Sequence, residues 1–357
     1  MGSRQKPLLL RQSGRVLRLL THKDKITFWA LVLLRFLVNL LDIAGIALMA
    51  VAVNFLIAAP GSETPLAGVF KILGLHVDAR GSKLPALFAL GIAVVGIFIV
   101  KAIVSLALMA KSANQISALE VKYSKHWMQV LTDSQGRFNA LPLKEDIGYV
   151  VTAGSYSIFQ RTLVSLSTLL SESAGLLATF LTLCFIQPVM TVGVLIYFGI
   201  IGWILQSIVG EKSRKHSEIY TQSHVAAVRA VRESIENERL LFLSGRKSFF
   251  TERFVALKGL SSRSQARITF LNNFPRYVVE TSLIVGAFGL AGGAFVLQDP
   301  LAAATTLTFF LTSATRMTPA LLNVMGAMTV INTAEPDTNM TERLLGLVGL
   351  DLSKENR

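Results

Sequence analysis

Two helix-forming stretches of this chain are far longer than a lipid bilayer is thick. They run from Leu84 to Leu131, where the only proline is Pro85 in the first turn, and from Val189 to Leu243, where there is none. At 1.5 Å per residue, each could form a helix of roughly 70–80 Å, whereas the hydrocarbon core of a bilayer is about 30 Å thick. Each stretch begins apolar and ends charged. The pattern predicts membrane helices that continue far into the cytoplasm.

Composition places the chain among membrane proteins. Of its 357 residues, 52% are hydrophobic and 16% are charged, and the mean hydropathy is +0.54. A soluble domain is not that apolar. We therefore predict an all-α polytopic membrane protein with six transmembrane helices and long cytoplasmic extensions. The predicted spans cover residues 26–58, 84–109, 157–186, 189–209, 274–297 and 301–331.

The distribution of basic residues predicts the orientation. Residues 1–25 hold seven basic side chains and one acid, and residues 211–276 hold thirteen basic side chains and six acids. Such excesses are typical of cytoplasmic segments. We expect a multi-pass protein of the plasma membrane, the inner membrane in bacteria, with both termini in the cytoplasm. Residues 1–25 would form a basic helix on the inner leaflet or a disordered tail, and residues 332–357 a cytoplasmic tail or linker.

Polar side chains inside the predicted spans are the candidate lining of a substrate pathway. Ionisable groups in hydrocarbon are costly, so they face protein or water and are functional candidates by default. An arginine fork fits phosphate well. The alternative is internal pairing, of Arg35 with Asp42 or of Arg316 with Glu172, and Lys101 is assigned to a helix interface. The predicted pathway residues are Arg35, Asn39, Asp42, Glu172, Thr312, Arg316 and Asn323.

Each long stretch is predicted to turn back at a cytoplasmic tip, within residues 132–156 and 239–251. The second stretch carries the i, i+4 charge pairs Arg229–Glu233 and Arg232–Glu236, which support a helix. It is expected to break near Gly245. Each turn would present a short helix at its tip. Helices that project this far are costly in solvation and conformational entropy unless a partner packs on them.

Four stretches resemble the transmembrane domain of type I (type IV fold) ABC exporters, and the resemblance covers about residues 10–347. LPLKEDIGYVVTAGSYSIFQR (141–161) and LFLSGRKSFFTERF (241–254) look like the two coupling segments of that family. NFPRYVVE (273–280) is similar to the start of the fifth span in the branch that contains lipid-linked oligosaccharide flippases. TERLLGL (341–347) resembles the helix that leads to the nucleotide-binding domain.

The resemblance implies a dimer with a second copy or a related half-transporter, in which spans four and five pack on the other copy. It also implies coupling contacts with an ATPase subunit. The chain contains no G-x-x-x-x-G-K-[ST] phosphate loop, so we expect no catalytic residue here, and Mg-ATP bound by a separate subunit or by a domain missing from this sequence. Histidines lack metal-ligand spacing, and nucleic acid is not expected. The implied coupling residues are Lys144, Glu145, Asp146, Tyr149, Gly245, Arg246, Lys247 and Phe250.

Three functions remain open at this point. The first is the membrane subunit of an ATP-driven exporter or flippase for an amphipathic cargo, anionic or lipid-linked, with membrane lipids as neighbours. The second is a subunit that exports peptides or drugs, in which the cavity depends less on its arginines. The third is a membrane scaffold or regulatory protein that keeps the fold without transporting. Intact charge pairs and coupling-like tips favour the transporters.

Overall fold

The computed structural model describes residues 14, 16, 17, 20–57, 83–133, 148–186, 188–245, 247–297 and 300–347. Nearly all of these residues are helical, and none of them is in a strand. The all-α class predicted from the sequence is therefore confirmed for the described part of the chain. The predicted tip at residues 132–147 and the tail after residue 347 lie outside it.

Seven α-helices are described, and four of them are close to 50 residues long. They are α1 (His22–Ile57), α2 (Lys83–Asp133), α3 (Val164–Ile186), α4 (Pro188–Glu236), α5 (Glu238–Ser244), α6 (Lys247–Leu297) and α7 (Pro300–Leu347). A helix of 50 residues is about 75 Å long, so α2, α4, α6 and α7 each exceed a bilayer core more than twofold. The predicted long helices thus form.

Three helical stretches are long and apolar enough to cross a membrane. They are Val95–Gln129, Val151–Cys184 and Thr191–Glu236, and their length and composition are those expected of a membrane protein. Parts of α1, α6 and α7 have side chains that lie outside the described set. The count of six spans therefore remains a prediction.

The helices divide into an apolar half and a charged half, which we call the distal half. The distal half comprises α5 together with residues 111–133 of α2, 211–236 of α4, 247–273 of α6 and 332–347 of α7. α7 is central, because it packs against α3, α4 and α6, while α1 packs against α2 and α3. A buried core of Val194, Phe198, Val279, Phe310 and Met317 joins α4, α6 and α7 in the apolar half.

A second core holds the start of α3 against α1 and α2. Trp127 of α2 is fully buried there beside Phe159, whose ring stacks on that of Tyr123 with 5.1 Å between centroids. Val16 and Leu20 of the amino-terminal segment are buried in the same core. At these two positions the segment packs on protein, whereas the sequence predicted a basic helix on the inner leaflet or a disordered tail.

Two π-helical segments, Val150–Gly154 and Ser157–Leu163, precede α3. In the second, the Thr162 hydroxyl donates to the carbonyl of Ser157, five residues back, at 3.0 Å. A turn that presents a short helix was predicted within residues 132–156. Instead, helical structure runs without a break from residue 148 to Ile186. Several helices pack around the second π-helical segment. Residues on much of its circumference are therefore buried.

The tip between α4 and α6 differs from the prediction. The long helix ends at Glu236 and not at Leu243, because Asn237 interrupts it; the Asn237 amide donates to the carbonyl of Glu233 at 2.8 Å. The short helix is α5, and it ends at Gly245, which has a φ of 68°, a conformation that glycine adopts without strain. Residues 247–250, which fall within the predicted tip 239–251, are the first turn of α6.

Candidate functional site

A cavity of about 450 Å³ lies between α1, α2, α3 and α7. Thr315 lies about 22 Å along α7 from Pro300, the first residue of that helix. If α7 crosses a bilayer, the cavity lies at the depth of the bilayer core. Three ionisable side chains line it: Arg35, Lys101 and Glu172. The other lining residues are Val38, Asn39, Ser105, Leu108, Met109, Thr168, Ser171, Gly175, Thr179, Thr315, Pro319, Ala320 and Asn323.

Polar contacts between α1 and α3 form one wall of the cavity. Arg35 Nη1 donates to the Ser167 hydroxyl at 3.2 Å, and one turn later Asn39 Nδ2 donates to the carbonyl of Ser171 at 3.4 Å. A methyl group at Gly175 would lie 3.1 Å from Asn39 Nδ2. The glycine therefore lets the Asn39 amide lie close to α3.

Charges of both signs meet in the cavity. The carboxylate of Glu172 is close enough to the Arg35 guanidinium to interact with it electrostatically, and Lys101 lies on the facing helix α2. Asp42 and Arg316, the alternative partners considered from the sequence, are on described helices, but their side chains lie outside the described set. The described lining thus carries two cations and one acid.

Four of the predicted pathway residues meet in this one cavity: Arg35, Asn39, Glu172 and Asn323. The side chain of Thr312, like those of Asp42 and Arg316, is not among those described. Lys101 was missed, because it was assigned to a helix interface. A lone lysine within an apolar run was itself a signal, since ionisable groups inside spans are functional candidates.

An ion pair that was not predicted from the sequence joins α7 to the π-helical segment Ser157–Leu163. Asp337 of α7, whose side chain is only 6% exposed, accepts a hydrogen bond from Arg161 Nη1 at 3.2 Å. It also accepts from the hydroxyls of Tyr149 at 2.9 Å and Thr221 at 2.6 Å. We call Asp337, Arg161, Tyr149 and Thr221 the Asp337 network.

Two further contacts strengthen the Asp337 network. Arg161 Nη2 donates to the Thr333 hydroxyl at 2.8 Å, and the Ser217 hydroxyl of α4 donates to the carbonyl of Thr333 at 2.5 Å. Asp337 follows Pro336 in α7. Because proline cannot donate the usual helical hydrogen bond, α7 is locally weaker at this point, and contacts with Tyr149, with the π-helical segment Ser157–Leu163 and with α4 hold it there.

Tyr149 belongs to the Asp337 network and not to an exposed tip. Burial, and then the negative charge of Asp337, raise the pKa of the Tyr149 phenol, so it stays protonated and keeps donating. Its ring meets His224 edge-on at 6.4 Å, and His224 stacks on Tyr220 at 5.4 Å. Its implied role in coupling to an ATPase subunit stays a prediction.

The tip formed by α5 and the start of α6 exposes apolar side chains. Leu240, Phe242, Leu243 and Phe249 are all more than half exposed, and Leu243 reaches 82%. The Lys247 ammonium lies over the Phe242 ring at 4.6 Å, an arrangement that cation–π attraction favours. We call these five residues the apolar tip.

Among the other predicted coupling residues, Gly245 and Phe250 adjoin the apolar tip. The ring of Phe250 contacts that of Phe249 edge-on at 5.6 Å. The remaining four, Lys144, Glu145, Asp146 and Arg246, lie outside the described residues. The tip therefore offers one described patch on which a partner could pack.

Ion pairs tie the distal helices together near this tip. Glu233 of α4 pairs with Arg253 of α6 at 2.9 Å, because α6 returns alongside α4. The predicted pair Arg232–Glu236 is present at 4.0 Å. The pairing of Glu233 with Arg229 stays a prediction.

Within the described residues, no cluster of three His, Cys, Asp or Glu side chains could hold a metal ion. Comparison of the chain with models of protein families and with curated proteins finds no match. What the described residues define is a class: an all-helical chain with three helices long and apolar enough to cross a membrane and a cavity lined by charged side chains.

Proposed function

We propose that this chain is the membrane subunit of an ATP-driven exporter or flippase. It would form the pathway for an amphipathic cargo, while a separate subunit binds and hydrolyses ATP. Two copies, or one copy with a related half-transporter, would make the working unit in the bacterial inner membrane. The six-span topology with cytoplasmic termini belongs to the same proposal.

The observation that carries the proposal is that α7 contributes residues both to the cavity and to the Asp337 network. One helix supplies Thr315 and Asn323 to the cavity and, further along, Asp337 to the Asp337 network. Movement of its distal part would therefore be transmitted to the cavity wall. Stiff helices that connect a site to a remote surface are the usual carriers of rigid-body switching. Pro319, which also lines the cavity, gives α7 a point at which it can bend.

The apolar tip supports a soluble partner. Large apolar side chains exposed together on a charged surface commonly mark interaction sites, and those of α5 lie at the end of two helices of about 75 Å. A partner that closes and opens on such a tip has leverage over α4 and α6. An ATPase subunit fits this requirement and also fits the resemblance to ABC exporters.

The test is to purify the intact chain in mild detergent from its native cells, identify co-purifying proteins by mass spectrometry and measure ATPase activity. We expect an ATP-binding subunit in the eluate. The variant Leu243→Asp should reduce its recovery about tenfold or more, because a buried charge in an apolar contact costs more than 1.4 kcal/mol.

The matched control is Leu260→Asp, which changes an exposed leucine on α6 away from the tip. It should leave recovery of the ATPase subunit unchanged. A clean oligomer of this chain with no ATP-binding subunit and no ATPase activity would refute the proposal and favour a scaffold. Equal loss in both variants would refute the role of the apolar tip.

A further inference from the structure

The two π-helical segments lie between α2 and α7. We call Val150–Gly154 and Ser157–Leu163 together the π bridge. α2 packs on both segments of the π bridge, and so does α7. Within the described residues, α2 and α7 are not themselves among the helix pairs in extensive contact. π-Helical turns are rare and often occur at functional sites, and the position of this one indicates a role in joining the two helices.

Two consecutive side chains of the π bridge bond to the two helices. Gln160 Nε2 donates to Glu120 Oε2 of α2 at 2.9 Å, and Arg161 Nη1 donates to Asp337 of α7 at 3.2 Å. Both acceptors are carboxylates, and hydrogen bonds to charged groups are roughly twice as strong as neutral ones. The bonds to α2 and to α7 therefore start from neighbouring residues, whose Cα atoms are only about 3.8 Å apart.

Close packing supports the bond on each side. Toward α2, the Phe159 ring stacks on Tyr123 with 5.1 Å between centroids, and Trp127 beside it is fully buried. Toward α7, a methyl group added at Gly154 would collide with the hydroxyl of Thr341, which is itself fully buried. Close-packed contacts transmit strain, so the π bridge cannot shift against one helix without straining its contact with the other.

The helices joined by the π bridge also line the cavity. α2 contributes Ser105 to the lining, and α7 contributes Thr315. Helical structure continues from the π bridge into α3 without a break, and α3 contributes Thr168. Three of the helices that line the cavity are therefore connected to one another through the π bridge.

We propose that the π bridge is a coupling element that makes the distal parts of α2 and α7 move as one body. Gln160 and Arg161 are its linking side chains. A displacement of α7 at the Asp337 network then displaces α2 as well, so the cavity walls on both helices shift together. Such joint displacement of packed helices is a form of rigid-body switching. The device needs no second copy and no ATPase subunit, because every contact in it lies within one chain.

The test is hydrogen–deuterium exchange, measured by mass spectrometry on the intact chain purified in detergent without a partner. The reporters are residues 116–124, the α2 segment, and residues 333–341, the α7 segment. Asp337→Asn keeps the size of the side chain and removes its charge, and should raise exchange in the α2 segment about tenfold or more. Gln160→Leu should raise exchange in the α7 segment by a similar factor. Both factors are those expected for loss of one charge-assisted hydrogen bond.

Three controls separate coupling from general loosening. Thr221→Val removes the bond from α4 to the same Asp337 carboxylate and should leave the α2 segment unchanged. Lys122→Gln removes the ion pair of α2 with Asp24 of α1, 2.8 Å long, and should leave the α7 segment unchanged. Glu120→Gln keeps an acceptor for Gln160 and should retain most of the protection of both segments.

Unchanged exchange of the α2 segment in Asp337→Asn would overturn the inference, as would unchanged exchange of the α7 segment in Gln160→Leu. An equal rise of the α2 segment in Thr221→Val and Asp337→Asn would also overturn it, because it would show loosening without a specific path. The outcomes stay distinct from those of the pull-down. Coupled exchange without an ATPase subunit refutes the proposed function alone, and an ATPase subunit without coupled exchange refutes this inference alone.

Discussion

Replacement of Asp337 by alanine should destabilise the chain by about 3 kcal/mol. The carboxylate is 6% exposed and accepts three hydrogen bonds, from Arg161, Tyr149 and Thr221. Each hydroxyl left without an acceptor costs roughly 1 kcal/mol, and loss of a charged partner costs roughly 1.5–3 kcal/mol. Removing one member of a buried pair typically costs about 3–5 kcal/mol. The lower end applies here, because Arg161 is 29% exposed and keeps its bond to Thr333.

The assay is unfolding of the purified chain by SDS titration in mixed micelles, followed by circular dichroism. Thr221→Val removes one hydrogen bond to the Asp337 carboxylate and should cost about 1.5–3 kcal/mol. The double variant Arg161→Met with Asp337→Ala should cost less than the sum of its single variants, because each removes the same ion pair. A loss below about 1 kcal/mol for Asp337→Ala, or strict additivity in the double variant, would refute the argument that these residues act as one network.

Two glycine comparisons make further predictions, each measured as a change in apparent melting temperature and SDS-unfolding free energy. Gly286→Ala should destabilise the chain by about 1–3 kcal/mol, because the added methyl would lie 2.9 Å from the Phe310 ring. Gly289→Ala, which has open space around it, should not destabilise the chain. Equal effects of the two variants would show that the close helix approach at Gly286 is unimportant. Gly245→Ala should cost about 1–2 kcal/mol, since its φ of 68° is unfavourable for other residues, whereas Gly259→Ala in α6 should stabilise by about 0.5–1 kcal/mol.

Helix length and type were predictable because they depend on local composition. The apolar run and the scarcity of proline were enough to predict α2, which extends from Lys83 to Asp133. The break at Asn237 was not predictable in the same way, because asparagine is tolerated in many helices. Its effect depends on the side-chain bond to Glu233 and on how α6 returns alongside α4.

The candidate site was predictable where polarity contrasted with its surroundings. Arg35, Asn39 and Glu172 stand out in apolar sequence, and the structure brings them to one cavity. The Asp337 network was not found, because Asp337 lies in the polar stretch after the predicted span 301–331, where a charged residue gives no contrast. Arg161 lies inside the predicted span 157–186 but was not counted among the pathway residues. Only the tertiary arrangement reveals that the two form a pair.

The π-helical segments before α3 have a consequence for how this chain tolerates deletion. Removing one residue from a regular α-helix rotates everything beyond it by about 100°, which would turn α3 away from its neighbours. A π-helical turn already contains one residue more than an α-helical turn, through its i→i+5 bonding. A single-residue deletion within Ser157–Leu163 can convert such a turn into an ordinary one and leave the phase of α3 intact. Related chains that lack one residue here would keep the same cavity wall.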